Sequence, residues 1–159
     1  MKNKKGFSLI ELLVVVLIIG ILSSIAVPNY KVHTIKTKVA SNMPLMRALQ
    51  NDMLNFYDRT GNLPNNINQL SINKAEFNTD EHVPTGCKIF IQTNNNIPAI
   101  NMDCHQGWWM SYSLQSTGYG YRLGAKTFNI TASGNDKSRL EKVAKSFGWS
   151  GSGTTYTIN

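Results

Sequence analysis

The residues best suited to catalysis, metal binding or redox chemistry are few and scattered. Cys87 and Cys104 can form a disulfide. His33, His82 and His105 can bind a metal or move a proton, and Asp136 and Glu141 lie near the C-terminus. The histidines stand too far apart for ordinary metal-ligand spacing. Neither a paired-acid motif nor a glycine-rich phosphate loop accompanies them. Catalysis therefore finds no footing: the chain is not expected to be an enzyme or to hold a cofactor or metal. One acid is placed unusually. Glu11 is the only ionisable side chain in residues 7–27, a run that is otherwise almost wholly apolar. Charged side chains at the centre of a membrane helix cost on the order of 2.5–3.5 kcal/mol. Such an acid needs either water at the membrane surface or a positive partner.

The element that carries Glu11 is long enough to matter. At about 1.5 Å per residue, residues 7–27 make a helix of about 32 Å, matching a hydrocarbon core of about 30 Å. Three readings compete: a secretory signal cut after Ser24-Ile25-Ala26 of a binding protein, a plain anchor, and a stem that both anchors and assembles. Lys2, Lys4 and Lys5 precede the run, and the positive-inside rule then keeps the N-terminus in the cytoplasm and sends the rest across the membrane. Losing those three lysines lowers the formal charge from +7 to +4, a weak excess that argues for no particular acidic partner. Across the membrane the surroundings are oxidising, so the two cysteines can pair.

Beyond Pro28 the pattern becomes amphipathic. Val32, Ile35, Val39, Met43, Met46, Leu49, Met53 and Phe56 follow at steps of three or four, a single apolar stripe on a helix over residues 29–60. Lys31, Lys36, Lys38, Arg47 and Asp52 fall off that stripe. Core packing accounts for its methionines better than a partner groove does. Pro44 should bend the helix or cost it a hydrogen bond. Gly61-Asn62-Leu63-Pro64 should end it, with glycine as a left-handed cap. Residues 65–86 read as a polar surface connection pinned by Ile67, Leu70, Ile72 and Phe77.

A hairpin follows. With Asn95-Asn96 as a two-residue turn, opposed positions add to 191, so Cys87 faces Cys104, Ile89 faces Met102, Ile91 faces Ile100 and Lys88 faces Asp103. One face is then apolar and the other polar. Pro98 and both cysteines fall in non-hydrogen-bonded sites, where a cross-strand disulfide is feasible. Two buried thiols are the alternative. Residues 109–114 and 120–123 read as two further strands, with 128–131 an extra edge. Trp108, Trp109, Tyr112, Tyr119 and Tyr121 can serve as sheet core or stack on sugars or bases. No basic run interleaves them, so nucleic acid is not an expected partner. Asn135-Asp136 can cap a short helix reaching Phe147. The Gly/Ser/Thr-rich tail from Gly148 reads as a turn or a short last strand.

The stretch Lys4-Lys5-Gly6-Phe7-Ser8-Leu9-Ile10-Glu11-Leu12-Leu13-Val14-Val15 resembles the class III signal of type IV prepilins and of the related type II secretion pseudopilins. The resemblance implies that a prepilin peptidase cuts between Gly6 and Phe7, methylates the new amine of Phe7 and leaves 153 residues of the 159. It implies a pilin-like α+β fold, a long N-terminal helix on a small antiparallel sheet. Residues 1–6 would be the leader, 7–28 the transmembrane and filament-core helix, and 29–159 the globular head. Glu11 would meet an N-terminal ammonium in the filament core, and the segment from Gly20 to Pro28 would loosen on assembly. The implied function is that of a type IV pilus subunit for adhesion, twitching motility or DNA uptake, the alternative being a type II secretion pseudopilin. The implied partners are other copies of the chain, the peptidase, an inner-membrane assembly platform and the membrane itself. The protein would wait in the bacterial inner membrane and end in an extracellular filament. Many type IV pilins place their disulfide nearer the C-terminus, so the Cys87–Cys104 position departs from that pattern. Calcium binding of the pseudopilin kind would need an acidic cluster near the C-terminus, and Asp136 and Glu141 alone do not make one.

Overall fold

A computed structural model describes residues 6–72 and 86–159. His82 and Phe77, named above, lie outside the described residues.

Helix α1 spans Leu9–Thr60 without interruption, passing through both Pro28 and Pro44. Each proline lacks an N–H and so removes one bond from the helical ladder, but neither ends the element. Gly61 ends it, in the left-handed region at φ 69°, with its N–H donating to the Tyr57 carbonyl at 2.8 Å. The stripe lies where its spacing puts it. Val39, Met46, Leu49 and Met53 are fully buried, while Val32, Ile35, Met43 and Phe56 pack against the same core. Each fully buried side chain of this size contributes about 1.5–3 kcal/mol.

Asp52 does not lie outside the buried face as expected. Only 7% exposed, it accepts hydrogen bonds from the Ser71 and Ile72 N–H groups and ties the connection down onto α1. The steps Leu49–Asp52–Phe56 are three and four residues, so the position belongs to the core side whatever its polarity. Asn42 and Gln50 are buried by the same periodicity. The connection holds a 3₁₀ turn at Ile67–Gln69, with Ile67 and Leu70 buried.

The sheet has six antiparallel strands, β1 (Lys88–Asn94), β2 (Ile97–Asp103), β3 (Trp108–Ser116), β4 (Tyr121–Ile130), β5 (Ser150–Ser152) and β6 (Thr155–Thr157), in the order β1-β2-β3-β4-β6-β5. The β1–β2 register is the expected one, Ile89 on Met102 and Ile91 on Ile100, closed by Asn95 and Asn96 at φ 49° and 61°. Positive φ at both central residues marks the type I′ turn that asparagine tolerates.

Three expectations about the second half need correction. The strands expected at 120–123 and 128–131 are one strand, β4 (Tyr121–Ile130), because a bulge in which Gly124 and Ala125 stand opposite the single Ser113 of β3 carries the pairing past Gly124. The Gln50 amide reaches that place, donating to the Ser113 carbonyl at 2.6 Å. Nor is Phe128 on an edge: β6 pairs with β4 on its far side, and Phe128 is fully buried. Helix α2 (Gly134–Ser146) has Ser133, not Asn135-Asp136, as its N-cap residue. The tail forms the β5–β6 hairpin and buries Tyr156 and Ile158.

Trp108 and Tyr112 are core, whereas Tyr119 at the β3–β4 turn is fully exposed. The Tyr112 hydroxyl is buried without a hydrogen-bond partner. Burial pushes this phenol above its ordinary value, against the opposing pull of the Arg47 charge.

Candidate assembly site

Ser8 stands at the N-cap of α1 with extended backbone, φ −72° and ψ 146°. Three residues on, the Glu11 carboxylate accepts a hydrogen bond from the Ser8 N–H at 2.7 Å. This is the acidic half of a Ser-x-x-Glu capping box, and it satisfies a donor the helix start would otherwise leave open. The negative charge also sits favourably against the positive end of the helix dipole. Treated only as a charge in lipid, Glu11 hides this second role, although the Ser8–Glu11 spacing announces it.

From Phe7, 90% exposed, through Val27, every large apolar side chain is at least 44% exposed. None of the most apolar 18-residue window of α1 is buried. The first α1 side chain packed on the head core, among the described residues, is Val32. An apolar rod of that size far exceeds the patches soluble monomers leave open, so it needs lipid or protein neighbours. At Gly20 a Cβ would meet no heavy atom within 4 Å, so nothing in the chain itself requires the glycine. Just before Pro28, Ser24 turns its hydroxyl onto the Ile21 carbonyl at 2.7 Å. The helix is intact across this region in the single chain.

The other expected site residues lie in the head. Cys87 and Cys104 form a disulfide with their Cα atoms 4.0 Å apart, as the close cross-strand position allows. Both are buried, so the bridge fastens β1 to β2 from inside the core. Glu11 on the bare stem and the cystine in the head are separate features. Asp136 and Glu141 are each held by a cation of their own helix, Asp136 by Arg139 at 2.5 Å and Glu141 by Lys137 at 4.0 Å. Among the described residues no three His, Cys, Asp or Glu side chains come together as a metal site would require.

Residues 1–27 match the family described as the prokaryotic N-terminal methylation motif. The chain is 50% identical over 50 residues to a fimbrial protein of Pseudomonas aeruginosa, covering 31% of this chain and 32% of that one. It is 35% identical over 63 residues to a fimbrial protein of Neisseria meningitidis, covering 40% and 37%. It is also 35% identical over 63 residues to a type IV major pilin protein of Neisseria gonorrhoeae, covering 40% and 38%. The chain thus spans about a third of the length of the curated relatives it matches. Motif, relatives and fold agree: the chain carries the prokaryotic N-terminal methylation motif, is similar to fimbrial and type IV pilin proteins over its N-terminal part, and has a pilin-like α+β fold.

Proposed function

We propose that the chain is a structural subunit of a type IV pilus and has no enzymatic role. The observation that carries this reading is the bare apolar half of α1, exposed throughout residues 7–27, running without a break into a half that is packed on the head. A rod with nothing of its own to cover it suits two surroundings in turn, a bilayer and then a bundle of identical rods.

In this reading residues 1–6 are removed by prepilin peptidase between Gly6 and Phe7, and Phe7 becomes the methylated N-terminus. Removing the leader puts an ammonium on Phe7, one residue before Ser8, whose N–H Glu11 already engages. In the packed core the Glu11 carboxylate balances that ammonium or a neighbour's. A buried charge is tolerable only when paired, so the pairing fixes the stagger of otherwise featureless helices. Gly20 and Pro28 bound the part of the helix that loosens on assembly, proline having cost it one ladder bond already. The subunit waits in the inner membrane, is taken up by an assembly platform and ends in a surface filament that serves adhesion, motility or DNA uptake.

Cryo-microscopy of sheared surface filaments tests this. The expected result is a filament whose density this chain fills, starting at Phe7, with heads outward. Filaments built of another protein while this chain remains in the membrane fraction would refute it, and would point to a type II secretion pseudopilin.

A further inference from the structure

A cleft of about 240 Å³ opens where α2 meets the foot of the head. Asn29 and His33 line it from α1, and Ser138, Arg139 and Lys142 from α2. Arg139 gives one nitrogen to the exposed Asp136, which leaves the rest of its five-donor fork free. Lys142 has no ion-pair partner among the described residues. Lys31 and Lys38 stand on the same stretch of α1, unpaired among the described residues. The only acids on α2, Asp136 and Glu141, are both taken by its own cations.

The height of this cleft along α1 gives it meaning, and the inference rests on the proposed reading that residues 7–27 span the bilayer. With Val27 at the edge of the hydrocarbon, Asn29 lies about 3 Å and His33 about 9 Å farther along the helix axis. Headgroups occupy roughly 5–7 Å on each side of the hydrocarbon core. Asn29 therefore stands within the headgroup layer and His33 just beyond it, so the cationic cleft opens at the outer side of the lipid phosphates.

We propose that this cleft binds the phosphate headgroup of an anionic phospholipid in the leaflet from which the head emerges. A guanidinium fork suits paired phosphate oxygens, and an ammonium adds a point charge beside it. Ser138 and Asn29 supply neutral donors for the ester and glycerol oxygens. The contact holds the waiting subunit upright at the membrane and is given up when the subunit leaves for the filament.

The full-length chain in neutral detergent, examined by native mass spectrometry, gives the test. Phosphatidylglycerol, phosphatidylcholine and inorganic phosphate are added in separate arms. The wild type should retain phosphatidylglycerol over phosphatidylcholine and retain no inorganic phosphate. Arg139→Gln with Lys142→Gln should lower phosphatidylglycerol retention on the order of tenfold, given the attraction of single cations to anionic lipid surfaces. Lys137→Gln with Lys145→Gln removes equal charge from the same helix outside the cleft and should retain the lipid. Equal loss in both double variants, equal retention of the two lipids, or retention of free phosphate would overturn the cleft. So would binding of a DNA duplex, read by fluorescence anisotropy, that Arg139→Gln/Lys142→Gln abolishes in the absence of any lipid preference. Flotation with phosphatidylcholine vesicles separates the underlying reading: wild type and both variants should float, and a wild type that stays at the bottom sinks the spanning stem and the cleft proposal with it.

Discussion

The Ser8 N–H and the Glu11 carboxylate lie 2.7 Å apart at the start of α1, so the one acid in the apolar stem already has a partner within its own helix. The costly charge thus does two separable things. As a cap it needs only a side-chain oxygen at that position, which glutamine also supplies. As a counterion for an ammonium it needs the full negative charge.

The Cys87–Cys104 bridge closes a loop with a sequence separation of 17. A loop of that size contributes about 3 kcal/mol by restricting the unfolded chain. Cys87→Ala with Cys104→Ala should lower the unfolding free energy by about that amount in urea titrations. The same titration on wild type with reductant should move as far, and an unchanged midpoint in both would show the bridge to be idle.

Asp52 is the buried acid that fastens the connection to the helix, through the Ser71 and Ile72 N–H groups. Asp52→Ala leaves both donors without an acceptor, and we expect a loss of about 2–3 kcal/mol. Asp52→Asn keeps one oxygen and should lose less. Amide exchange at Ser71 and Ile72 reads the effect locally and should accelerate first.

Gly124 sits where β3 and β4 shift register, and an added Cβ would come within 2.8 Å of the Leu114 carbonyl carbon. Backbone cannot yield as a side-chain tip does, so Gly124→Ala should cost about 1–3 kcal/mol. Thermal melts monitored by circular dichroism measure it, and a melting temperature equal to wild type would contradict the crowding.

Tyr112 gives a pH dependence with a definite sign. Its phenol is raised above the ordinary value of 10.0 by burial, so between that value and the folded one the unfolded chain has lost a proton the folded chain keeps. Stability from this group is complete below pH of about 10 and falls as pH rises beyond it. Tyr112→Phe removes the phenol that titrates and should flatten part of the alkaline loss. Tyr156, raised by burial and by Glu141, keeps the remainder. Denaturant midpoints from pH 8 to 11 check both halves of the expectation.

What could be read from the residues followed the strength of each local signal. The α1 stripe, its Gly61 end and the Asn95-Asn96 register were legible because spacing and turn chemistry leave few alternatives. Asp52, Asn42 and Gln50 were not, since a search for apolar positions skips buried polar ones; Asp52 and Gln50 meet distant amides and carbonyls, and Asn42 donates to the Lys38 carbonyl of its own helix. The single long β4 was hidden by Gly124, which reads as a break in sequence but permits a close approach between strands. The β5–β6 hairpin was obscured by small polar residues whose place is set by pairing with β4 and not by pattern. At the stem, the Ser8–Glu11 spacing was visible and its meaning obscured by the stronger signal of a charge in lipid.

The measurement that bears most directly on the account is the number of surface filaments, counted by electron microscopy, in cells whose only copy of the protein carries Glu11→Gln. Glutamine keeps a capping oxygen and removes the charge. The account predicts processed, membrane-inserted protein with few or no filaments, as for Glu11→Ala. Filaments in wild-type number from the glutamine variant would show that the cap suffices and that no charge pairing sets the stagger.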